Sequence, residues 1–370
     1  AAFMAPTEIL AEQHAANLRA WLEPLGLEVH FLAGSLGERE RRALAEAAAS
    51  GAASVVIGTH ALFQEEVAFR ALGLAVIDEQ HRFGVHQRLA LREKGTDPHL
   101  LIMTATPIPR TLAMTAFADL EASVIDELPP GRQAVETVGV SDARREEVEA
   151  RIREAVASGQ QAYWVCPLVE ESEALQLEAA TATHDRLRAA FPELTVGLVH
   201  GRQTPAEKEA AMAAFKAGDT DLLVATPVIE VGVDVPAATL MVIEHAERMG
   251  LAQLHQLRGR VGRGEQSSAC VLLYRPPLSD KARRRIAAMR ETTDGFRIAQ
   301  VDLELRGPGE VLGTKQTGLE RMRIADLGRD RSLVAGLPAA GERILREEPG
   351  AAVAVVRRWV GDRAAYGEVG

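Results

Sequence analysis

LAVIDEQHRFG, residues 74 to 84, runs four apolar residues straight into two carboxylates. Leu74, Ala75, Val76 and Ile77 are apolar on both faces, the pattern of a short strand buried in a parallel sheet. Asp78 and Glu79 follow with nothing between. A sheet interior does not tolerate two unpaired carboxylates, so the pair marks the strand's carboxyl-terminal end. In open α/β sheets that end is where ligands bind. A strand-end turn with solvated acids is the bland explanation. The sharp one is magnesium-nucleotide chemistry, in which one carboxylate takes a water-rich magnesium ion and the next orients or deprotonates the attacking water.

Outward from this stretch, short apolar or β-branched runs alternate with Ala-, Glu- and Arg-rich helical stretches, which predicts parallel α/β sheets. AAFMAP, LEVHFLAG, ASVVIGT and LLIMTAT are the companion strands of LAVIDE, with helices such as EILAEQHAANLRAWLEPL and ERERRALAEAAAS between them. DELPPGRQAVET, with two prolines and a glycine, reads as a linker. A second series follows in QQAYWVCPL, LTVGLVHG, DLLVATPV, ATLMVIEHA and SACVLLYR. The expected organisation is an α/β lobe over 1–128, a linker over 129–137 and a second α/β lobe over 138–276. A basic helical and Gly-rich region over 277–320 and a helical tail over 321–370 complete it.

Composition sets bounds on this reading. Of 370 residues, 47% are hydrophobic and 25% charged, ordinary for a globular protein with room for two cores. Aromatics make up 4%, which leaves the cores to Ala, Val, Leu and Ile. No apolar run approaches the ~18 residues of a membrane helix, and AAFMAPTEIL lacks the basic start of a signal peptide. A cytoplasmic protein with no membrane partner is expected. Cys166 and Cys270 each sit in an apolar run without a CxxC or clustered His, and read as buried free thiols in a reducing compartment. The net charge of −10 argues against a basic flood toward nucleic acid, but says little about local patches.

Three further stretches carry chemistry. LIMTATPIPRTL (101–112) is another strand ending in small hydroxyl residues, Thr104 and Thr106. In HQLRGRVGRGE (255–265), Gln256, Arg260 and Arg263 are four and three apart, so on a helix they form one polar stripe. Gly259 and Gly262 leave room there for a backbone or a phosphate, and arginine suits the charge developing on a γ-phosphoryl. KARRRIAAMR (281–290) has five basic residues and no acid, with Ile286 and Met289 on one face, and predicts an amphipathic helix with a cationic side.

DEQH, TAT and QLRGRVGR, in this order, resemble the motifs of superfamily 2 helicases and translocases. MAPTEILAEQH, LAGS and GTHAL resemble the DNA-contact motifs of the first domain, and LVHGR and ATPVIEVGVDVP the motifs of the second. DEQHRFGV, IEHAERMGLAQLHQLRGRVGRG and TTDGFRIAQVDLELRGPGEVLGTKQTG narrow the resemblance to the RecG-type branched-DNA helicases, over residues 1 to about 320. The resemblance implies two RecA-like parallel-sheet domains, followed by a helical hairpin and a helical C-terminal tail.

It also implies roles. Asp78 holds the Mg2+ of MgATP through water, Glu79 polarises the hydrolytic water, and His81 relays nucleotide state. Arg260 and Arg263 act as arginine fingers with Gln256 beside them, and Asp234 lies near the nucleotide. DNA phosphates are met by Pro6, Thr7, Gly34, Ser35, Gly58, Thr59, His200, Gly201 and Thr226. Thr7 after Pro6 also reads as an ordinary helix cap, which is compatible with that role. Arg284, Arg306 and Gln316 belong to the hairpin and Gly-rich loop that couple hydrolysis to movement on duplex DNA. The implied partners are branched or duplex DNA and ATP, with the parent a monomer.

One departure matters. The phosphate-cradling GxxxxGK[ST] loop is absent from the 370 residues. In the family it precedes MAPTEIL, as does the wedge domain that recognises branched DNA. A first domain lacking a strand, an exposed sheet edge and no appreciable ATP turnover by these residues alone are expected. A transcription-coupled repair translocase shares the hairpin and the QLRGRVGRG helix, but DEQH, TTDGF and RGPGE favour the RecG type. A non-catalytic DNA-binding module with a helicase fold is the remaining alternative, against which stand the intact Asp78, Glu79, Arg260 and Arg263.

Overall fold

A computed structural model of the chain describes residues 1–34, 36–64, 67–79, 83, 90–91, 93–105, 123–125, 127, 132–167, 173–227, 235–264, 266–306, 333 and 336–359. The chain divides into two compact units, Ala1–Val124 with Arg306–Gly370, and Ile125–Leu305.

In the first unit five parallel strands, β1 (Ala2–Met4), β2 (Val29–Leu32), β3 (Val55–Gly58), β4 (Leu74–Ile77) and β5 (His99–Ile102), lie in the order β2-β3-β1-β4-β5. β1 to β4 each fall inside a stretch that the apolar runs predicted, and β5 begins one residue before its stretch, at His99. β1 is central, with Met4 in register with both Gly58 and Ile77. Helices α1 (Glu8–Leu22) and α2 (Glu38–Ser50) follow β1 and β2. The pleat sends Met4, Leu32, Val56 and Ile77 to one core, while Ile57 and Val29 face Ala11 and Ala15 of α1 in another. Burying a side chain such as Ile57, fully enclosed here, contributes about 1.5–3 kcal/mol. The alanines let α1 lie close on the sheet. Among the described residues β2 and β5 are the sheet's edges.

The second unit carries six parallel strands, β6 (Glu136–Ser141), β7 (Gln161–Val165), β8 (Val196–Val199), β9 (Leu222–Ala225), β10 (Ala238–Ile243) and β11 (Ala269–Tyr274), in the order β6-β11-β10-β7-β9-β8. Its helices are α3 (Arg145–Ala157), α4 (Glu173–Ala190), α5 (Pro205–Ala217), α6 (Leu251–Arg258), α7 (Asp280–Glu291) and α8 (Gly295–Arg306). Tyr163 and Val165 turn into one core with Phe215, Leu254, Ile286 and Met289, and Trp164 turns into the other with Ile152, Leu187 and Phe191.

β6 was not among the expected strands, and its first two residues fall in the stretch assigned to the linker. Among the described residues it is an edge strand paired only with β11, mostly half-buried, so it needs no apolar run. At Gly139 a Cβ would stand 3.1 Å from Ile286 Cγ2, so the glycine admits α7 against β6. The basic helix forms as expected, capped by Ser279 and burying Ile286 and Met289. α9 (Leu337–Glu347) and α10 (Pro349–Trp359) belong to the first unit. No helix among the described residues is long and apolar enough to cross a membrane. Cys166 and Cys270 are free and buried.

Candidate functional site

Because the first sheet is parallel, its strands end on one rim, and the turns there carry the candidate residues. Across the rim come Gly34 after β2, Gly58 and Thr59 at β3, Pro6 and Thr7 after β1, then Asp78 and Glu79 after β4. With strands about 4.8 Å apart, the phosphate-contact candidates occupy three adjacent tips and the acidic pair the next. Backbone bonds hold the tips in step: Ala5 N donates to Gly58 O at 3.0 Å, Asp78 N to Met4 O at 2.9 Å, and Met103 N to Ile77 O at 2.8 Å.

Thr7 caps α1, its hydroxyl accepting from Leu10 N at 3.4 Å. The Gly34 amide donates to the Glu8 carboxylate in the first turn of α1, while Arg41 donates to Gly34 O at 3.0 Å. At Gly58 a Cβ would meet Leu32 O at 2.9 Å, so β2 and β3 leave room only for glycine. Thr59 is buried beside it, its hydroxyl 3.4 Å from His60 Nδ1.

Asp78 is held at both oxygens. Oδ1 accepts from Glu79 N at 2.9 Å, and Oδ2 lies 2.9 Å from His14 Nε2 of α1. Glu79 takes φ 51, a left-handed backbone that costs a non-glycine residue about 1–3 kcal/mol and that clusters at functional sites. The Asp78 oxygens keep further lone pairs, which suits a hard cation bridged by water. Among the described residues no three or more His, Cys, Asp or Glu cluster to hold a metal.

In the second unit His200 and Thr226 mark the tips of the neighbouring strands β8 and β9, with Thr226 N donating to Val199 O at 3.1 Å. His200 N donates to Gln203 Oε1 at 3.0 Å, and Lys208 donates to Gly201 O at 2.8 Å. Burial, then Lys208, holds the His200 ring below its usual pKa. Thr204 and Glu207 close a capping box on α5 just beyond.

The helical stripe expected of Gln256, Arg260 and Arg263 does not form. α6 ends at Arg258, so Gln256 is helical while Arg260 and Arg263 sit in the turn after it. Glycine is the reason. Gly262 takes φ 74, and a Cβ there would meet Val135 Cγ2 at 2.7 Å. At Gly264 a Cβ would meet Pro236 O at 2.9 Å. Arg132 Nε secures the turn from outside, donating to Gly262 O at 3.0 Å, and Arg263 Nε donates to Gly259 O at 3.4 Å. Val135 and Pro236 precede β6 and β10, so the arginine turn lies at the amino-terminal end of this sheet. His200, Gly201 and Thr226 lie at the carboxyl end. Strands of four to six residues hold the two groups about 13–20 Å apart.

The DEAD/DEAH box helicase family matches residues 1–115, and the helicase conserved C-terminal domain family matches 146–265. A third match, over 292–357, is to "ATP-dependent DNA helicase RecG, domain 3, C-terminal". The ATP-dependent DNA helicase RecG of Acidithiobacillus ferridurans is 63% identical over 369 residues, and that of Escherichia coli K12 59% over 370. The chain belongs to the RecG family of superfamily 2 helicases. It spans about half the length of these relatives, 54% and 53%, while they match 100% and 99% of it. A solved RecG bound to a three-way DNA junction is 44% identical with a TM-score of 0.71, covering 90% of this chain and 43% of that one. Yeast Dbp5 bound to RNA and ADP-BeF3, 14% identical with a TM-score of 0.57, shares the fold, covering 82% of this chain and 80% of its own.

For a RecG-family chain, the described residues thus place the acidic pair on the first unit beside its phosphate candidates, and the arginines on the second unit at the opposite end of the sheet from His200, Gly201 and Thr226. Of the hairpin residues, Arg284 of α7 has Nη2 3.9 Å from Glu304 of α8, an exposed pair worth little, and Arg306 ends α8. Ser35, His81, Asp234 and Gln316 lie outside the described residues. Two residues escaped the sequence reading. His14, in AEQH, had only its two-turn spacing from Thr7 to offer. Arg258 stands inside QLRGRVGR, 3% exposed, overshadowed by the two arginines that follow it.

Proposed function

We propose that the protein carrying this chain is an ATP-dependent DNA helicase and translocase that works on branched DNA, replication forks and Holliday junctions, in recombination and repair. The observation that carries it is the β4 tip, where Asp78 and the strained Glu79 stand on the same rim as Thr7, Gly34 and Thr59. Nucleotide chemistry beside a row of phosphate contacts is what a motor requires.

Asp78 would hold magnesium through water. The bound ion would offset phosphate charge and orient the γ-phosphoryl for in-line attack. Glu79 orients and polarises the water that attacks. Arg260 and Arg263 neutralise the charge that develops in the transition state, with Gln256 positioning them and Asp234 near the nucleotide. Amides and hydroxyls at the strand tips, rather than a basic surface, take the DNA backbone. This accommodates a net charge of −10. Such contacts position DNA without reading sequence, and their affinity falls steeply with salt. His81, Arg284, Arg306 and Gln316 transmit nucleotide state to the hairpin. We place the protein in the cytoplasm as a monomer.

The 370 residues hold no GxxxxGK[ST] loop, and alone they are expected not to turn over ATP appreciably. The test uses the full-length protein with forked DNA. Glu79→Gln is expected to lower ATP turnover at least a hundredfold while nucleotide still binds, and Asp78→Asn to lose both turnover and magnesium dependence. Unchanged turnover in Glu79→Gln would remove the assignment.

A further inference from the structure

The mechanism above makes no use of His14, yet among the described residues its ring is the one side chain hydrogen-bonded to Asp78, the other contact being the Glu79 backbone amide. Its Nε2 lies 2.9 Å from Oδ2, while Oδ1 is engaged by Glu79 N at 2.9 Å. An ionised carboxylate only accepts, so Nε2 is the nitrogen that carries the proton in this bond. The other side of the ring rests on Phe3 of β1, centroids 4.5 Å apart and planes tilted 42°. His14 is wedged between an aromatic of the central strand and the acid of the next. With both oxygens anchored, the carboxylate cannot rotate freely.

His14 also rides on the helix that starts at the DNA-contact candidate. Thr7 caps α1, and His14 follows seven residues later, two turns on, about 10 Å along the axis. Between and beyond them Ala11 and Ala15, 0% and 1% exposed, are packed on Ile57 of the sheet. A close-packed helix of this kind moves as a body rather than bending locally.

We propose that His14 is a positioning residue for Asp78, and that α1 is a rigid strut joining the phosphate grip at Thr7 to the magnesium-bearing carboxylate. This rests on the functional reading given above. Occupancy at one end of α1 then changes the geometry available at the other, a coupling that is reciprocal by thermodynamic necessity.

The experiment measures the affinity of the full-length protein for a fluorescent forked DNA, with and without magnesium and a non-hydrolysable ATP analogue. His14→Phe keeps the ring against Phe3 and removes the bond to Asp78. His14→Gln keeps a donor. In the wild type the analogue should change DNA affinity at least fivefold, within the usual range of coupling between sites. In His14→Phe the ratio should fall to within twofold of one, and in His14→Gln part of it should return. A thermal melt of each variant checks folding, and should His14→Phe not fold, His14→Gln alone must show the reduced ratio. A folded His14→Phe that keeps the wild-type ratio overturns the strut. A wild type that binds neither analogue nor fork overturns the functional reading itself, which direct binding of a fluorescent nucleotide reports separately.

Discussion

Arg258 pins the last turn of α7 by donating from Nη1 to the carbonyl of Met289 at 2.8 Å. The same nitrogen donates to Thr292 O at 2.9 Å and reaches Thr137 Oγ1 of β6 at 3.3 Å. A cation at the carbonyl end of a helix is favourably placed. It ties the helix that leads into the arginine turn to the basic helix of the hairpin, so the packing of both depends on it. Arg258→Met should cost about 2–4 kcal/mol in urea unfolding, since it strands buried carbonyls. Arg258→Lys should recover part of the loss, because an ammonium can serve the three acceptors gathered at Nη1 but cannot also reach His255 Nδ1, which Nη2 contacts. A loss under about 1 kcal/mol for Arg258→Met would show that the pin is not structural.

The same guanidinium shapes a pH response. Arg258 Nη2 lies 3.0 Å from His255 Nδ1, an arrangement that needs an unprotonated nitrogen. Burial, then Arg258, pushes the His255 pKa from 6.5 down to about 4. The unfolded chain therefore takes up a proton that the folded chain refuses. Stability from this group is complete above about pH 6.5, declines as pH falls toward 4, and changes no further below that. The loss is at most on the order of 3 kcal/mol. Urea unfolding at pH 7.5 and 5 should show the drop in the wild type and a smaller one in His255→Asn. Equal drops in both would assign the effect elsewhere.

Much of the fold was legible because burial in a parallel sheet forces unbroken apolar runs. LAVI, QAYWV and LLVA announced β4, β7 and β9 for that reason. β6 was hidden because an edge strand is only half-buried along its length, and ETVGVS shows two valines and a glycine where a run was sought. Asp78 and Glu79 could be placed at a rim from their position after an apolar run. Arg260 and Arg263 could not be placed from spacing, because the glycines that suggested a lightened helix face in fact end the helix. The contact of His14 with Asp78 spans sixty-four residues and depends on β1 lying next to β4, which no local pattern encodes.

The two cysteines give a chemical check on both cores of the second unit. Burial pushes the thiols of Cys166 and Cys270 up to about 12, so neither ionises near neutrality. Since the thiolate is the reactive form, the native protein should leave both unmodified by a disulfide reagent at pH 8. Full reaction should appear only with unfolding in urea. Rapid labelling of Cys270 in the native state would contradict its burial in the core that holds Leu254, Ile286 and Met289.

Gly262 is where a single methyl group should separate turnover from stability. Its φ of 74 is one that other residues rarely adopt, and an added Cβ would press on Val135 Cγ2 at 2.7 Å. A side chain there must push the turn away from the strand that Val135 leads into, or abandon the left-handed backbone. Either response moves Arg263, one residue on. Gly262→Ala should cost about 1–3 kcal/mol by overpacking and strain. ATP turnover of the full-length protein should fall at least tenfold even at temperatures where the variant is fully folded, with the KM for DNA little changed. Val135→Ala removes the atom in the way and should return part of the lost stability, though not the strain of the backbone. Were turnover to follow only the folded fraction, the arginine turn would be a structural joint and not part of the phosphate chemistry.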